Sequence, residues 1–204
     1  MDIVDLLVAI TKKYKEKESI TPAKTKLLKL AYLAEVYYTR LTGKRLTDKE
    51  WVFWKYGPYL WDYDELISNE EIFIKRSEEE EFYPVEVRDD YQITDMQLDE
   101  YNAIFRALEH ASDDLNHILD FVYFDTEPMM KAKIRGEKLD FTCIMPEEVY
   151  TVKKYEVDKK QGREGGMGGM GSALEIGQMI FLSLLKHTGQ ASTLSRFKLR
   201  SAGT

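Results

Sequence analysis

Cysteine, proline and histidine are all scarce in this sequence of 204 residues, which has one, five and three of them. A single cysteine cannot form an intramolecular disulfide, and it excludes zinc sites built from several thiolates. No apolar run approaches the ~18 residues of a membrane-spanning helix. The opening Met-Asp-Ile-Val-Asp carries acids where a secretory signal carries bases, so we expect a cytoplasmic protein.

Positive charge is also in short supply, because 36 Asp and Glu outnumber 29 Lys and Arg and give a formal charge of -7. Nucleic-acid affinity comes largely from Lys and Arg that neutralise phosphates. We therefore expect no direct nucleic-acid partner. Apolar residues make up 44% of the chain, a share that allows a well-packed core.

The charge is unevenly distributed along the chain. Residues 161–204 carry five bases and two acids, which leaves 24 bases and 34 acids for residues 1–160. Six glycines lie within residues 162–171, a composition typical of a flexible linker. The sequence predicts a domain over 1–160, a Gly/Met-rich linker over 161–172 and a basic tail over 173–204.

Hydrophobic periodicity predicts helices through most of the first 160 residues. The predicted helical segments are 2–16, 22–42, a stretch after Pro58, 97–108, 112–122 and 127–135, with another starting at Pro146. Expected starts are Thr21-Pro22, Thr94 with Gln97 as a capping box, and Ser112.

Two strand-like pieces interrupt this helical pattern. Ile72-Phe-Ile74 and Phe82 to Val87 flank a charged turn, which is typical of a β-hairpin. The predicted fold class is predominantly α (α+β): a compact helical domain with a small inserted β-hairpin, and a C-terminal helix after the Gly-rich linker. The acidic run Glu78–Glu81 in the turn reads as solvated charge or as a strip for a basic partner.

Candidate catalytic and cofactor sites are weak. Gly166 to Gly171 matches G-x-G-x-x-G, but a dinucleotide site needs a buried strand immediately before it. His110 and His117, with nearby aspartates, leave a metal-dependent enzyme as an alternative. Cys143 has no nucleophile signature. We predict no enzyme activity, no metal and no cofactor.

Aromatic residues are concentrated between Trp51 and Tyr63, where three Trp, three Tyr and one Phe occupy thirteen positions. Trp and Tyr are enriched at the centres of protein interfaces. The alternative is that Trp54 and Tyr56 anchor the segment in the core.

Two motifs resemble a known family. The first comprises Lys26-Leu-Leu-Lys-Leu-Ala-Tyr32, Thr42-Gly-Lys-Arg-Leu46 and Glu50-Trp-Val-Phe-Trp-Lys-Tyr-Gly-Pro58; the second is Asp125-Thr-Glu-Pro128 with the short helix that follows. Together they resemble the Panacea domain, the SocA-like antitoxin domain that also occurs in phage-associated proteins. Met129 stands where the family usually has Trp.

The resemblance implies an antitoxin that neutralises a cognate protein toxin, encoded by the adjacent gene, through direct binding. Some members deliver the toxin to an AAA+ protease, which is the alternative mechanism. Homo-oligomers and regulation of the operon through the toxin complex are further possibilities. The predicted partner-binding residues are Trp51, Trp54, Tyr56, Gly57, Pro58, Tyr59, Trp61, Pro128 and Met129.

Residues 173–187 of the tail form a predicted helix that is apolar on nearly every side. Such a helix must dock on something, because exposure of so much apolar surface is unfavourable. We favour docking on protein, with a membrane as the weaker alternative; a further core helix or an appended segment also fits. The predicted docking residues are Ile176, Met179, Ile180, Phe181 and Leu184.

Overall fold

The computed structural model of the protein describes residues 1–74, 84–93 and 95–147. These residues belong to one compact unit, Met1–Glu147. The acidic run Glu78–Glu81, the linker and the tail with its five docking residues lie outside the described residues. The division into domain, linker and tail therefore remains a prediction.

Helices dominate the described residues, and the strands are short. The helices are α1 (Ile3–Glu18), α2 (Lys24–Thr42), α3 (Tyr63–Ile67), α4 (Leu98–Ala107), α5 (Leu115–Asp125) and α6 (Glu127–Lys131), with 3-10 turns at Leu108–His110 and Phe141–Cys143. The strands are β1 (Val52–Trp54), β2 (Gly57–Tyr59), β3 (Phe73–Ile74) and β4 (Glu86–Val87). The predominantly α, α+β fold class is confirmed. The predicted hairpin is β3–β4, and β1–β2 is a second one.

Helix α2 is the centre of the core. Its residues from Leu27 to Tyr37 are all buried, and it packs against α1, α4, α5 and β2. Apolar side chains on several sides of the helix explain this position, because a helix surrounded by neighbours gains burial on every face. Every helix in the described ranges falls short of the length or the apolar character needed to cross a bilayer.

The predicted starts of α2 and α5 are wrong. Helix α2 begins at Lys24, because Pro22 and Ala23 continue as extended chain: the Pro22 carbonyl accepts from Val85 N at 2.9 Å. Ser112 does not cap α5. Asp114 does so instead, and its carboxylate accepts from the backbone N of His117 at 3.0 Å. Either residue suits an N-cap by type.

The capping box of α4 lies three residues later than predicted, whereas α6 starts where expected. Gln97 is the N-cap of α4 rather than the third residue of the helix, and its backbone N donates to the Glu100 carboxylate at 2.8 Å; Thr94 lies outside the described residues. Helix α6 begins at Glu127 as predicted, with proline in its first turn. It ends at Lys131 rather than near Arg135, because the backbone N of Lys133 donates to the Glu137 carboxylate at 2.9 Å.

Candidate functional site

The β1–β2 hairpin is built by the aromatic segment of the first motif. Val52 pairs with Tyr59 and Trp54 pairs with Gly57 in an antiparallel register, which leaves Lys55-Tyr56 as the connecting loop. Gly57 has φ +85°, a conformation that other residues adopt only with strain. The predicted helix start at Pro58 is wrong: Pro58 lies in β2, because Gly57 turns the chain back onto β1.

The outer edge of β1 is hydrogen-bonded as well. The backbone N of Phe53 donates to Glu137 O at 2.8 Å, and Gly136 N and Leu139 N donate to Phe53 O and Trp51 O at 2.7 and 2.8 Å. Strand β1 is thus paired on both edges. This pairing holds the hairpin in place, because β1 stays hydrogen-bonded to one neighbour even when the other separates.

Two tryptophans of this segment have opposite environments. Trp51 is 1% exposed and packs edge-on against Tyr32, with ring centroids 5.4 Å apart. Trp54, three residues later, is 40% exposed. Trp51 therefore packs in the core, whereas Trp54 lies at the surface against the Trp61 ring.

Three exposed aromatic residues and one half-buried residue make up what we call the hairpin surface: Trp54, Tyr56 and Trp61 are exposed, and Tyr59 is half-buried. The ring centroids of Trp54 and Trp61 are 4.9 Å apart, and those of Tyr59 and Trp61 are 5.8 Å apart, both in edge-to-face geometry. Tyr56 is 60% and Trp61 57% exposed. Large aromatic side chains with this exposure are typical of interface anchors.

The structure divides the nine predicted partner-binding residues into two groups. Four of them make up the hairpin surface. The other five are buried: Trp51, Gly57, Pro58, Pro128 and Met129. Because these five residues are buried, we expect direct contacts with a partner from the hairpin surface alone.

The second motif is tied to α2 by buried polar contacts, which we call the buried polar layer: Tyr32, Arg40, Thr126 and Glu127. The Arg40 guanidinium donates to the Glu127 carboxylate at 2.8 Å and to Asp125 O at 2.7 Å. Thr126 Oγ1 donates to the carbonyl of the residue four positions earlier, so Tyr32 donates its hydroxyl hydrogen to Thr126. Buried groups with such partners fix the relative position of two helices.

A second buried carboxylate fixes the loop between α2 and β1. Glu35 accepts from Arg45 Nε at 2.6 Å, from Leu46 N at 2.8 Å and from Thr47 Oγ1 at 2.7 Å. Several donors stabilise the ionised carboxylate away from water. The loop therefore enters β1 from a defined position.

A pocket of about 230 Å³ opens between the first turns of α2 and the hairpin. We call it the Lys29 pocket; its lining includes Lys24, Lys29, Trp54, Tyr56 and Tyr59. The side chain of Lys29 is 2% exposed, and its Nζ donates to Pro58 O at 2.7 Å. Burial lowers the pKa of Lys29 to about 7, because loss of hydration disfavours the charged amine.

The residues of the enzyme alternative do not assemble into a site. His110 contacts the Tyr37 hydroxyl at 3.1 Å and Asp113 at 2.9 Å, whereas His117 pairs with a different aspartate. Over the described residues, no group of three His, Cys, Asp or Glu could hold a metal ion. Burial raises the pKa of Cys143, which reduces the thiolate needed for nucleophilic attack.

Three charged residues of α2 were missed by the sequence reasoning: Lys29, Glu35 and Arg40 are all buried. A signal for them exists in the sequence. Because α2 carries apolar residues on more than one side, charged residues in its middle are forced toward buried positions. Such positions require polar partners, and the structure supplies them from β2, the following loop and the second motif.

A protein-family model described as "Antitoxin SocA-like, Panacea domain" matches residues 27–136. This range covers more than half of the chain. The protein belongs to the SocA-like Panacea family. The resemblance based on the two motifs is thereby confirmed, and in this Panacea domain both motifs lie against α2. Neither a curated protein nor a solved structure gives a match.

Proposed function

We propose that this Panacea protein is the antitoxin of a toxin–antitoxin system and neutralises a cognate protein toxin by binding it through the hairpin surface. The antitoxin family gives the class of function. The observation that carries the binding site is the cluster of Trp54, Tyr59 and Trp61, exposed on a hairpin whose β1 strand is paired on both edges.

The rigidity of the hairpin supports this proposal. Association costs free energy for every side chain and loop that must become ordered. Here the rings already pack on each other, and the strand beneath them is held by Glu137 O and Leu139 N. A preorganised aromatic surface loses less entropy on binding, so more of the contact energy appears as affinity.

The proposed activity is binding without catalysis, in the cytoplasm, with no direct contact to nucleic acid and no cofactor. Tail residues 173–204 would add specificity, because a flexible linker keeps an appended segment at high effective concentration near the partner. Delivery of the toxin to an AAA+ protease is the alternative mechanism. It uses the same first step, which is recognition of the toxin.

The test is co-expression of the full chain with the product of the adjacent gene, with growth rescue and co-purification as readouts. The wild type is expected to rescue growth and to form a stable complex. A Trp54→Ala/Trp61→Ala variant is expected to lose both. The matched control is Phe105→Ala, because Phe105 is 60% exposed but lies on α4, outside the hairpin.

A double variant that stays folded and protects fully would contradict the proposed binding surface. Absence of both rescue and complex for the wild type would contradict the antitoxin function itself. The half-life of the toxin distinguishes the two mechanisms. Masking leaves this half-life unchanged, whereas delivery shortens it, and only in cells that contain the protease.

A further inference from the structure

We infer that the Lys29 pocket receives an acidic side chain of the protein partner, whose carboxylate pairs with the Lys29 ammonium at the base of the pocket. This inference rests on the proposed function, because the carboxylate belongs to the protein that covers the hairpin surface. It names the chemical group of the partner, a carboxylate, which the aromatic cluster alone does not specify.

The surroundings of Lys29 set it apart from the other lysines of the pocket. Within the described part of the chain, the one hydrogen-bond partner of its Nζ is Pro58 O, and no carboxylate pairs with it. An ammonium group has three donors. A buried cation without a counter-ion is unfavourable, so an incoming anion gains more here than at an exposed lysine.

Of the other two lysines in the lining, Lys55 adds to this preference, whereas the charge of Lys24 is offset by an ion pair. Lys24 is paired with Asp64, and the ammonium of Lys55 lies 5.0 Å from the centre of the Tyr56 ring. The pocket thus retains local positive charge on a protein whose overall charge is -7. Local complementarity of this kind guides a partner to one patch of the surface.

The shape and lining of the pocket favour an acidic side chain over other anions. Trp54, Tyr56 and Tyr59 form aromatic walls suited to the methylene groups of a glutamate. A chain terminus is usually captured by a set of backbone N–H groups, whereas the donors that characterise this lining belong to side chains, above all the buried ammonium of Lys29. A nucleic acid is disfavoured because the acidic protein repels its phosphates.

The first test uses the purified full chain and three small probes, followed by NMR of the backbone amides of Lys29 and Gly57. The probes are N-acetyl-glutamate α-amide, which has only a side-chain carboxylate; N-acetyl-glutamine, which has only a terminal carboxylate; and the neutral N-acetyl-glutamine amide. Saturable shifts with the first probe, about tenfold weaker or absent with the other two, are expected if the side-chain carboxylate pairs with Lys29.

Lys29→Met is expected to abolish these shifts. Lys44→Met is the matched control, because it removes the same charge from an exposed loop and is expected to bind the first probe like the wild type. The comparison of the three probes uses only the wild-type protein. It therefore remains a valid test even if Lys29→Met fails to fold. Equal binding of all three probes, equal binding of the two carboxylates, or no binding at all would overturn the inference.

The second test uses the complex with the toxin. Lys29→Met is expected to weaken toxin binding about tenfold, and unchanged affinity of the folded variant would overturn the assignment of the carboxylate to the partner. The probe titrations contain no toxin. Their failure therefore leaves the antitoxin function standing, and failure of growth rescue leaves the probe result standing.

Discussion

The hairpin surface and the buried polar layer are made by the two motifs of the same domain, yet they differ in what their side chains contact. Trp54 and Trp61 contact each other and solvent. Arg40 and Glu127 contact each other in the interior. The first region is available to a partner, whereas in the second the Arg40 guanidinium and the Glu127 carboxylate are paired with each other inside the protein.

We expect this difference to separate stability from recognition within one domain. Side chains of the buried region hold α2, the hairpin and the second motif together, so their loss reduces the free energy of unfolding. Side chains of the hairpin surface are only partly buried, so we expect their loss to cost less folding free energy.

The largest expected effect comes from comparing the buried Trp51 with the exposed Trp54. Trp51→Ala is expected to lower the free energy of unfolding by about 3–5 kcal/mol, because it leaves a cavity in the core. Trp54→Ala is expected to lower it by less than about 1 kcal/mol, because its ring is partly in solvent. Urea unfolding at neutral pH measures both. Equal losses of unfolding free energy in the two variants would contradict the distinction between the buried and the exposed tryptophan.

The next largest effect concerns the buried ion pair. Arg40→Met is expected to cost about 3 kcal/mol or more, because it leaves the Glu127 carboxylate buried without its partner. The double variant Arg40→Met/Glu127→Leu should recover part of this loss in the same urea experiment. If the single variant unfolds like the wild type, the pair does not join the second motif to α2.

A pH dependence follows from the buried lysine. The folded-state pKa of Lys29, about 7, lies below the usual 10.5, so between these values the unfolded chain binds more protons at this site. The free energy of unfolding therefore rises with pH above 7, by at most about 1.4 kcal/mol per pH unit from this group. Urea unfolding of the wild type and Lys29→Met between neutral and mildly alkaline pH measures it. Parallel curves of unfolding free energy against pH for the two proteins would show that Lys29 does not titrate in this pH range.

The smallest effect expected is at the hairpin turn. Gly57→Ala should cost about 1–2 kcal/mol, because alanine is strained at positive φ. Space is not the cause, since a Cβ at this position would lie 3.7 Å from its nearest neighbours. Gly136→Ala is the matched control, with φ +89° and no atom within 4 Å. A much larger loss at Gly57, measured by thermal unfolding, would indicate that packing rather than backbone conformation decides.

The helices could be predicted from the sequence, but their exact starts could not. Apolar spacing fixes which face of α1, α2, α4 and α5 is buried. The caps depend on tertiary context: Thr21-Pro22 is a suitable helix start by residue type, yet the pairing of Pro22 with Val85 keeps the chain extended there. A contact between residues so far apart in sequence is not visible in local patterns.

The candidate site could be predicted only in part. The aromatic density located the segment of the hairpin surface, but the sequence predicted a helix after Pro58 where the chain forms β2. The division between Trp51 and Trp54 depends on which side chains the core covers, and local sequence does not give that. Lys29 was missed because its burial depends on Pro58, which follows it by 29 residues. The docking of the tail, residues 173–204, on a protein surface remains a prediction.

The central claim is that the hairpin surface binds the toxin without contributing to the fold. Its most direct test is calorimetric titration of the purified toxin with the wild type and with Trp54→Ala/Trp61→Ala, each checked by urea unfolding. The expected result is affinity weaker by about 100-fold or more, since two interface anchors are removed, with nearly unchanged unfolding. Unchanged affinity in a folded variant would contradict the claim.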